Sequence, residues 1–169
     1  FPQTGNGGYD VGHYDIDLDY DPVTNLFGAA TTTIDATATQ NLSEFSLDFQ
    51  DQLDVSSVTV NGQPAAFSFA ATEPLGDPGV VTQLTKLVVT PAAGIPDGTD
   101  FEVVVSYSGE PQLMTDVDES SEGWIPACQG AGMTPPCDGA LVVNQPNGAQ
   151  TWFPGNNYPT DKATFDTTI

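Results

Sequence analysis

Between residues 13 and 22 the run HYDIDLDYDP sets Tyr14, Ile16, Leu18 and Tyr20 in alternation with Asp15, Asp17 and Asp19. A period of two belongs to a strand with one face on a core and the other in water, so the first element is expected to be half-buried. DPVTN supplies turn residues, and AATTTIDATATQ continues as a Thr-rich strand whose β-branched side chains suit a pleated surface. Together these predict a hairpin. EFSLDFQ alternates again, with Phe45, Leu47 and Phe49 on one side. In VSSVTVNGQPAAFSF the pair Asn61-Gly62 stands between two alternating runs. It is the preferred pair for a type I′ hairpin turn, which needs positive φ at both central residues. KLVVTP and DFEVVVSYSG bracket AAGIPDGT and add two more strands. No capped amphipathic run is long enough for a helix.

From Glu110 to Gly139 the alternation lapses into EPQLMTDVDESSEGWIPACQGAGMTPPCDG, too polar and broken to predict regular structure. A loop of this length in a compact domain is functional, disordered or stapled. Its two cysteines, Cys128 and Cys137, favour a staple: the Gly- and Pro-rich stretch between them can bend back to bridging distance. Zinc binding by the pair needs further ligands, and the one histidine, His13, lies far away in sequence. A disulfide in turn implies an oxidising compartment and a secreted protein. ALVV, AQTWF and KATFDTTI follow as three short strand candidates. About ten strands with turn signals throughout predict one all-β domain over residues 1–169, an antiparallel saddle-like sandwich or open sheet.

Charge narrows the partners. Twenty-three acidic residues face two lysines and no arginine, a formal net charge of −21. Nucleic acid is therefore not an expected partner. Neither is a membrane: an anionic surface repels such a chain, and no apolar run approaches the roughly 18 residues that span a bilayer. The chain starts at Phe1 without a visible signal peptide and is read as a processed or trimmed product.

The residues that carry chemistry are few. His13 has no Ser or Cys nucleophile motif beside it, and a single histidine cannot form His-Glu-x-x-His, so the chain on its own is expected to be no peptidase and to hold no cofactor. Asp15, Asp17 and Asp19 share a strand face, while Asp116, Asp118, Glu119 and Glu122 crowd one loop. Neither group has the Gly and terminal Glu of a calcium loop, and both are read as solvated acidic faces. GNGG at residues 5–8 lacks the preceding strand and following helix of a phosphate loop.

The ending, GAQTWFPGNNYPTDKATFDTTI, resembles a characteristic segment of the M1 family of zinc aminopeptidases, close to G-A-R-T-W-F-P-C-N-D-x-P-x-D-K-A-T-F. The opening GGYDVGHYDIDLDYDP looks like the first strands of the same family's N-terminal domain, especially in secreted actinobacterial members. LDVSSVTVNGQPAAF, LVVTP and FEVVVSYSGEP fall between them in the family's order. The resemblance implies a saddle-like β domain, with the zinc ligands in a thermolysin-like catalytic domain that follows and is absent from this chain. It implies a peptide substrate for the parent enzyme, and one substrate-binding residue here. Gln145, nine positions before Pro154, matches the Glu or Gln that takes the substrate's free α-amino group. A neutral amide accepts from an ammonium more weakly than a carboxylate does. Departures from the family segment are Gln150 for Arg, Gly155 for Cys, Asn157 for Asp and Tyr158 for His, neutral for charged in most cases. Trp152, Phe153 and Phe165 keep the pattern and are expected to fill the core or the seam with the next domain. The other reading the sequence allows is a stand-alone secreted β-sandwich, a binding or cell-surface module without peptidase activity.

Overall fold

The alternating aspartates of the first strand lie in water and their apolar neighbours in the core: Tyr14, Ile16 and Leu18 are buried, while Asp15, Asp17 and Asp19 are exposed. The computed structural model describes residues 3–73, 81–128 and 136–169. β1 (Tyr9–Asp21) and β2 (Leu26–Ala38) form the hairpin that the pattern predicts, joined through Asn25 at φ 55°. β8 (Asp100–Gly109) adds to the far side of β2, and β4 (Asp54–Val60) to the far side of β8.

Asn61 and Gly62 make the tight turn after β4 with φ of 51° and 72°. The strand beyond it is divided. Only β5 (Gln63–Pro64) pairs with β4; Pro64 has no N–H to continue the ladder, and β6 (Ala66–Ala71) crosses to a second sheet. That sheet has the order β3-β7-β6, with β3 (Phe45–Asp48) and β7 (Thr85–Thr90) antiparallel. Its inward residues Phe45, Leu47, Phe49, Leu87 and Val89 are all buried against Ile34, Phe101, Val103, Val105 and Tyr107 of the first sheet. Rings lock the two layers: Phe45 meets Phe101 at 5.5 Å and Phe49 meets Tyr107 at 5.1 Å between centroids.

Three expectations are corrected. The polar stretch after Glu110 is folded: β9 (Leu113–Thr115), β10 (Ser121–Cys128) and β11 (Cys137–Val143) form a third sheet in the order β11-β10-β9. It pairs through main-chain bonds that need no apolar run, and Trp124 anchors it to Phe27 and Tyr20 with centroid distances of 5.0 and 4.9 Å. AQTWF is no strand. Gly148–Thr151 is a single 3-10 turn, and Gln150 through Phe153 are buried at four successive positions, which no two-faced strand provides. Finally, β12 (Thr164–Thr168) lies parallel to β1 at the sheet edge, so the six-stranded sheet β12-β1-β2-β8-β4-β5 is mixed.

Cys128 and Cys137 are opposed residues of β10 and β11 and are joined by a disulfide. The Gly- and Pro-rich interior of that connection, 129–135, expected to bend back, lies outside the described residues.

One of the two lysines is inside. Lys86 pairs with the buried carboxylate of Asp48, which leaves the exposed Lys162 as the one cation of either basic type facing the acidic surface. Stability is therefore expected to rise with salt as the Debye length shrinks from about 10 Å at 0.1 M to about 3 Å at 1 M. Thermal denaturation across that range of NaCl checks it; a midpoint that stays flat or falls would count against the charge argument.

Candidate functional site

Residues 144–157 leave the third sheet, turn, and return along the end of the core; apart from the side chains of Gln145 and Gln150, most polar groups along this path are tied down. On the incoming side, the indole N–H of Trp152 donates to Asn144 Oδ1 at 3.0 Å. Pro146 O accepts from Asn157 Nδ2 at 2.7 Å. An aspartate in place of Asn157 has no proton to give, so the departure to an amide fits this contact. The backbone N–H groups of Asn147 and Gly148 both donate to Glu122 Oε2, at 2.8 and 2.9 Å, and Asn147 Nδ2 donates to Asp116 Oδ1 at 2.9 Å.

Glu122 and Asp116 are 1% and 2% exposed, which corrects the reading of that loop as a solvated acidic face; Asp118 and Glu119, at the tip of the β9–β10 turn, are indeed in water. Burial pushes the Glu122 carboxyl up, the Asp116 carboxylate adds to the rise, and the two backbone donors oppose it.

On the outgoing side the chain pairs with Asp48. Asp48 N–H donates to Gly155 O at 2.7 Å, Gly155 N–H to Asp48 O at 3.1 Å, and Asn157 N–H to Asp48 Oδ2 at 2.9 Å. Asn156 N–H donates to the Tyr14 hydroxyl at 2.8 Å, and Asn156 Nδ2 to Asp161 Oδ2 at 2.7 Å. Burial raises the Asp161 carboxyl, and the neighbouring carboxyl of Asp10 raises it further.

Gln145 stands at the crest of this path. It is exposed, it precedes Pro146 through a cis peptide bond, and among the described residues its side chain has no hydrogen-bond partner. Its neighbour Asn144, though not Gln145 itself, lines a cavity of about 530 Å³ together with, among others, Gln150, Trp152, Phe153, Asn156 and Phe165. Trp152 and Phe153 form its buried floor, their centroids 4.5 Å apart, and Phe165, more than half exposed, stacks on Tyr14 at 4.9 Å. Gln150 lines the same cavity at 1% exposure, with neither amide atom hydrogen-bonded. An unpartnered buried amide costs free energy, which sets Gln150 apart from the satisfied polar groups around it.

His13 is apart from this site. Its ring contacts Thr164 Oγ1 at 2.7 Å and Asp166 at 3.7 Å on the edge of the first sheet. Among the described residues no group of three or more His, Cys, Asp and Glu side chains is placed to hold a metal ion. Glu122 and Asp116 are the residues that sequence reasoning missed as parts of the site. The signal available was weak: two acids flanking a turn, one of them directly before Gly-Trp.

No protein-family model matches the sequence, and no curated protein matches it. Solved structures do. An M1 zinc metallopeptidase from Deinococcus radiodurans, bound to a Tyr-Ser-Ala substrate, superimposes over 99% of this chain with a TM-score of 0.74 and 26% identity. A two-domain M1 zinc metallopeptidase bound to L-arginine does so over 99% with a TM-score of 0.75 and 26% identity. Leukotriene A4 hydrolase from Saccharomyces cerevisiae shares the fold over 98% of the chain, with a TM-score of 0.63 and 21% identity. The match takes up 33%, 33% and 24% of those proteins, so the chain spans about a third of the length of the M1 metallopeptidases it resembles. With its open β sheets and its WFP segment at the end of the core, this chain has the fold of the N-terminal domain of M1 zinc metallopeptidases.

Proposed function

We propose that this chain is the non-catalytic N-terminal domain of a secreted zinc aminopeptidase, and that it presents Gln145 to the α-amino group of a peptide substrate. The observation that carries the reading is the placement of Gln145: exposed and without a partner among the described residues, it stands between Asn144, which accepts from the Trp152 indole, and Pro146 and Asn147, which are held by Asn157, Glu122 and Asp116. A backbone held in that way leaves only the Gln145 side chain to be ordered when its amide accepts a hydrogen bond from an ammonium. In this reading the cavity lined by Asn144, by the unpartnered amide of Gln150 and by the exposed ring of Phe165 is the face on which the zinc-bearing domain of the same polypeptide docks. A zinc ion held by that other domain would supply an activated water, and this chain would supply orientation. The disulfide supports an oxidising, extracellular setting.

The test is kinetic, in the longer polypeptide that contains this chain. Gln145→Ala is expected to lower kcat/KM for substrates with a free amine by roughly 10- to 100-fold, which corresponds to about 1.4–2.7 kcal/mol of lost transition-state binding. Gln145→Glu is expected to raise it, because a charge-assisted bond to an ammonium is roughly twice as strong as a neutral one. Unchanged kcat/KM in the alanine variant would mean that Gln145 has no part in substrate binding.

A further inference from the structure

We infer that Glu122 is a positioning residue: its carboxylate, from the third sheet, fixes the backbone of Asn147 and Gly148 and thereby sets where Gln145 points. The inference rests on the reading of Gln145 as the substrate contact. One oxygen, Glu122 Oε2, accepts both N–H groups, and Asp116 Oδ1 holds the Asn147 side chain from the same hairpin. Asn147 is 0% exposed, so these donors have no water to turn to if the carboxylate is removed. The other oxygen, Glu122 Oε1, is buried without a partner.

A carboxylate in this place is an odd choice for stability alone. It is buried, it sits near Asp116 in a chain of net charge −21, and its proton affinity is raised by that burial. What it offers that an apolar residue does not is an acceptor shared by two adjacent amides, which fixes the local backbone in direction as well as in depth. The distance in sequence from Asn147 back to Gln145 is two residues, and Pro146 between them has one soft backbone dihedral fewer than other residues. Little freedom is left to take up an error at Glu122.

The experiment compares Glu122→Met with Glu122→Gln in the longer polypeptide. Methionine keeps the volume and loses the acceptor; glutamine keeps an acceptor oxygen and loses the charge. Two quantities are read: hydrogen–deuterium exchange of the peptide covering 144–151, and kcat/KM on free-amine substrates, with zinc content as a control. Glu122→Met is expected to speed exchange in that peptide at least about 10-fold and to lower kcat/KM about 10-fold, chiefly through KM. Glu122→Gln is expected to restore both to within about threefold of the parent. Asp116→Ala, which leaves the Glu122 bonds in place, provides a second variant and is expected to give a smaller change in the same direction. Unaltered exchange in Glu122→Met, or an equal loss in Glu122→Gln, overturns the inference. Gln145→Ala measured alongside separates the two ideas. If it is silent, the substrate contact is wrong; if it lowers kcat/KM while Glu122→Met speeds exchange without changing kinetics, the positioning role is wrong.

Discussion

Asp48→Ala is expected to destabilise this domain by about 3–5 kcal/mol, the usual consequence of removing one member of a buried ion pair. Asp48 is 2% exposed and the Lys86 side chain beside it 15%. The carboxylate accepts from Lys86 Nζ, from Gly5 N–H and Asn6 Nδ2 at 3.0 Å each, and from Asn157 N–H at 2.9 Å. One side chain thus joins the N-terminal segment, the second sheet and the path that carries Gln145. Alanine leaves an ammonium with Gly5 O as its remaining partner and three N–H donors with none. At this size a loss of 1 kcal/mol lowers the midpoint by about 2–4 °C, so the expected fall is roughly 6–20 °C in a calorimetric scan. The double variant Asp48→Ala with Lys86→Met is expected to recover part of the loss, since no uncompensated charge is then buried. A single variant within 1 kcal/mol of the parent would sink the argument, and so would a double variant worse than the sum of the two singles.

Asp48 also shows where reading the sequence stops working. In EFSLDFQ the period-two pattern places it opposite Phe45, Leu47 and Phe49, on what looks like the wet face. Those three are buried as the pattern says. The opposite face is covered too, by residues 5–6 and 155–157, and sequence distances of roughly 40 and 110 residues leave no local trace of that contact. The parts that were legible are the ones whose cause is local: alternation in β1 and β2, the Asn61-Gly62 turn, the apolar faces of β7 and β8. Of the third sheet ALVV was legible and lies in β11; β9 and β10 were not, because their stability comes from main-chain pairing, from Trp124, and from the contact of Glu122 and Gly123 with residues 147–151. The parallel pairing of β1 with β12 joins the two ends of the chain, and no periodicity states it. For the candidate site, the WFP segment pointed to the stretch 144–157, while the acids that hold that stretch come from a region that reads as surface in the sequence.

Gly148→Ala is expected to cost about 2–3 kcal/mol and to displace Gln145 as well. A Cβ on Gly148 would run into Val143 O, would lie 2.5 Å from Gly123 N and 3.0 Å from Glu122 Cβ. The first two are backbone atoms in the end of β11 and in β10, neither of which can rotate away. From the other side, a Cβ on Gly123 would strike the Thr151 side chain, with Cγ2 at 2.9 Å, and Gly123 has φ 99°, a conformation that only glycine adopts at ease. The two glycines therefore let the backbone of the 3-10 turn rest directly on the backbone of β10, which is also what brings the N–H groups of Asn147 and Gly148 within reach of Glu122. Alanine at 148 must lift the turn, lengthen those bonds and swing the crest two to three residues upstream. In the longer polypeptide kcat/KM on free-amine substrates is expected to fall by at least about 10-fold, since a displacement near 1 Å in a positioning element can cost 100-fold. Gly139→Ala, in β11 of the same sheet, has no atom within 4 Å of its new Cβ and is the matched control, expected within about 0.5 kcal/mol of the parent. Equal melting temperatures for the two alanine variants would show that the turn yields freely, and that neither the close approach nor Glu122 fixes the place of Gln145.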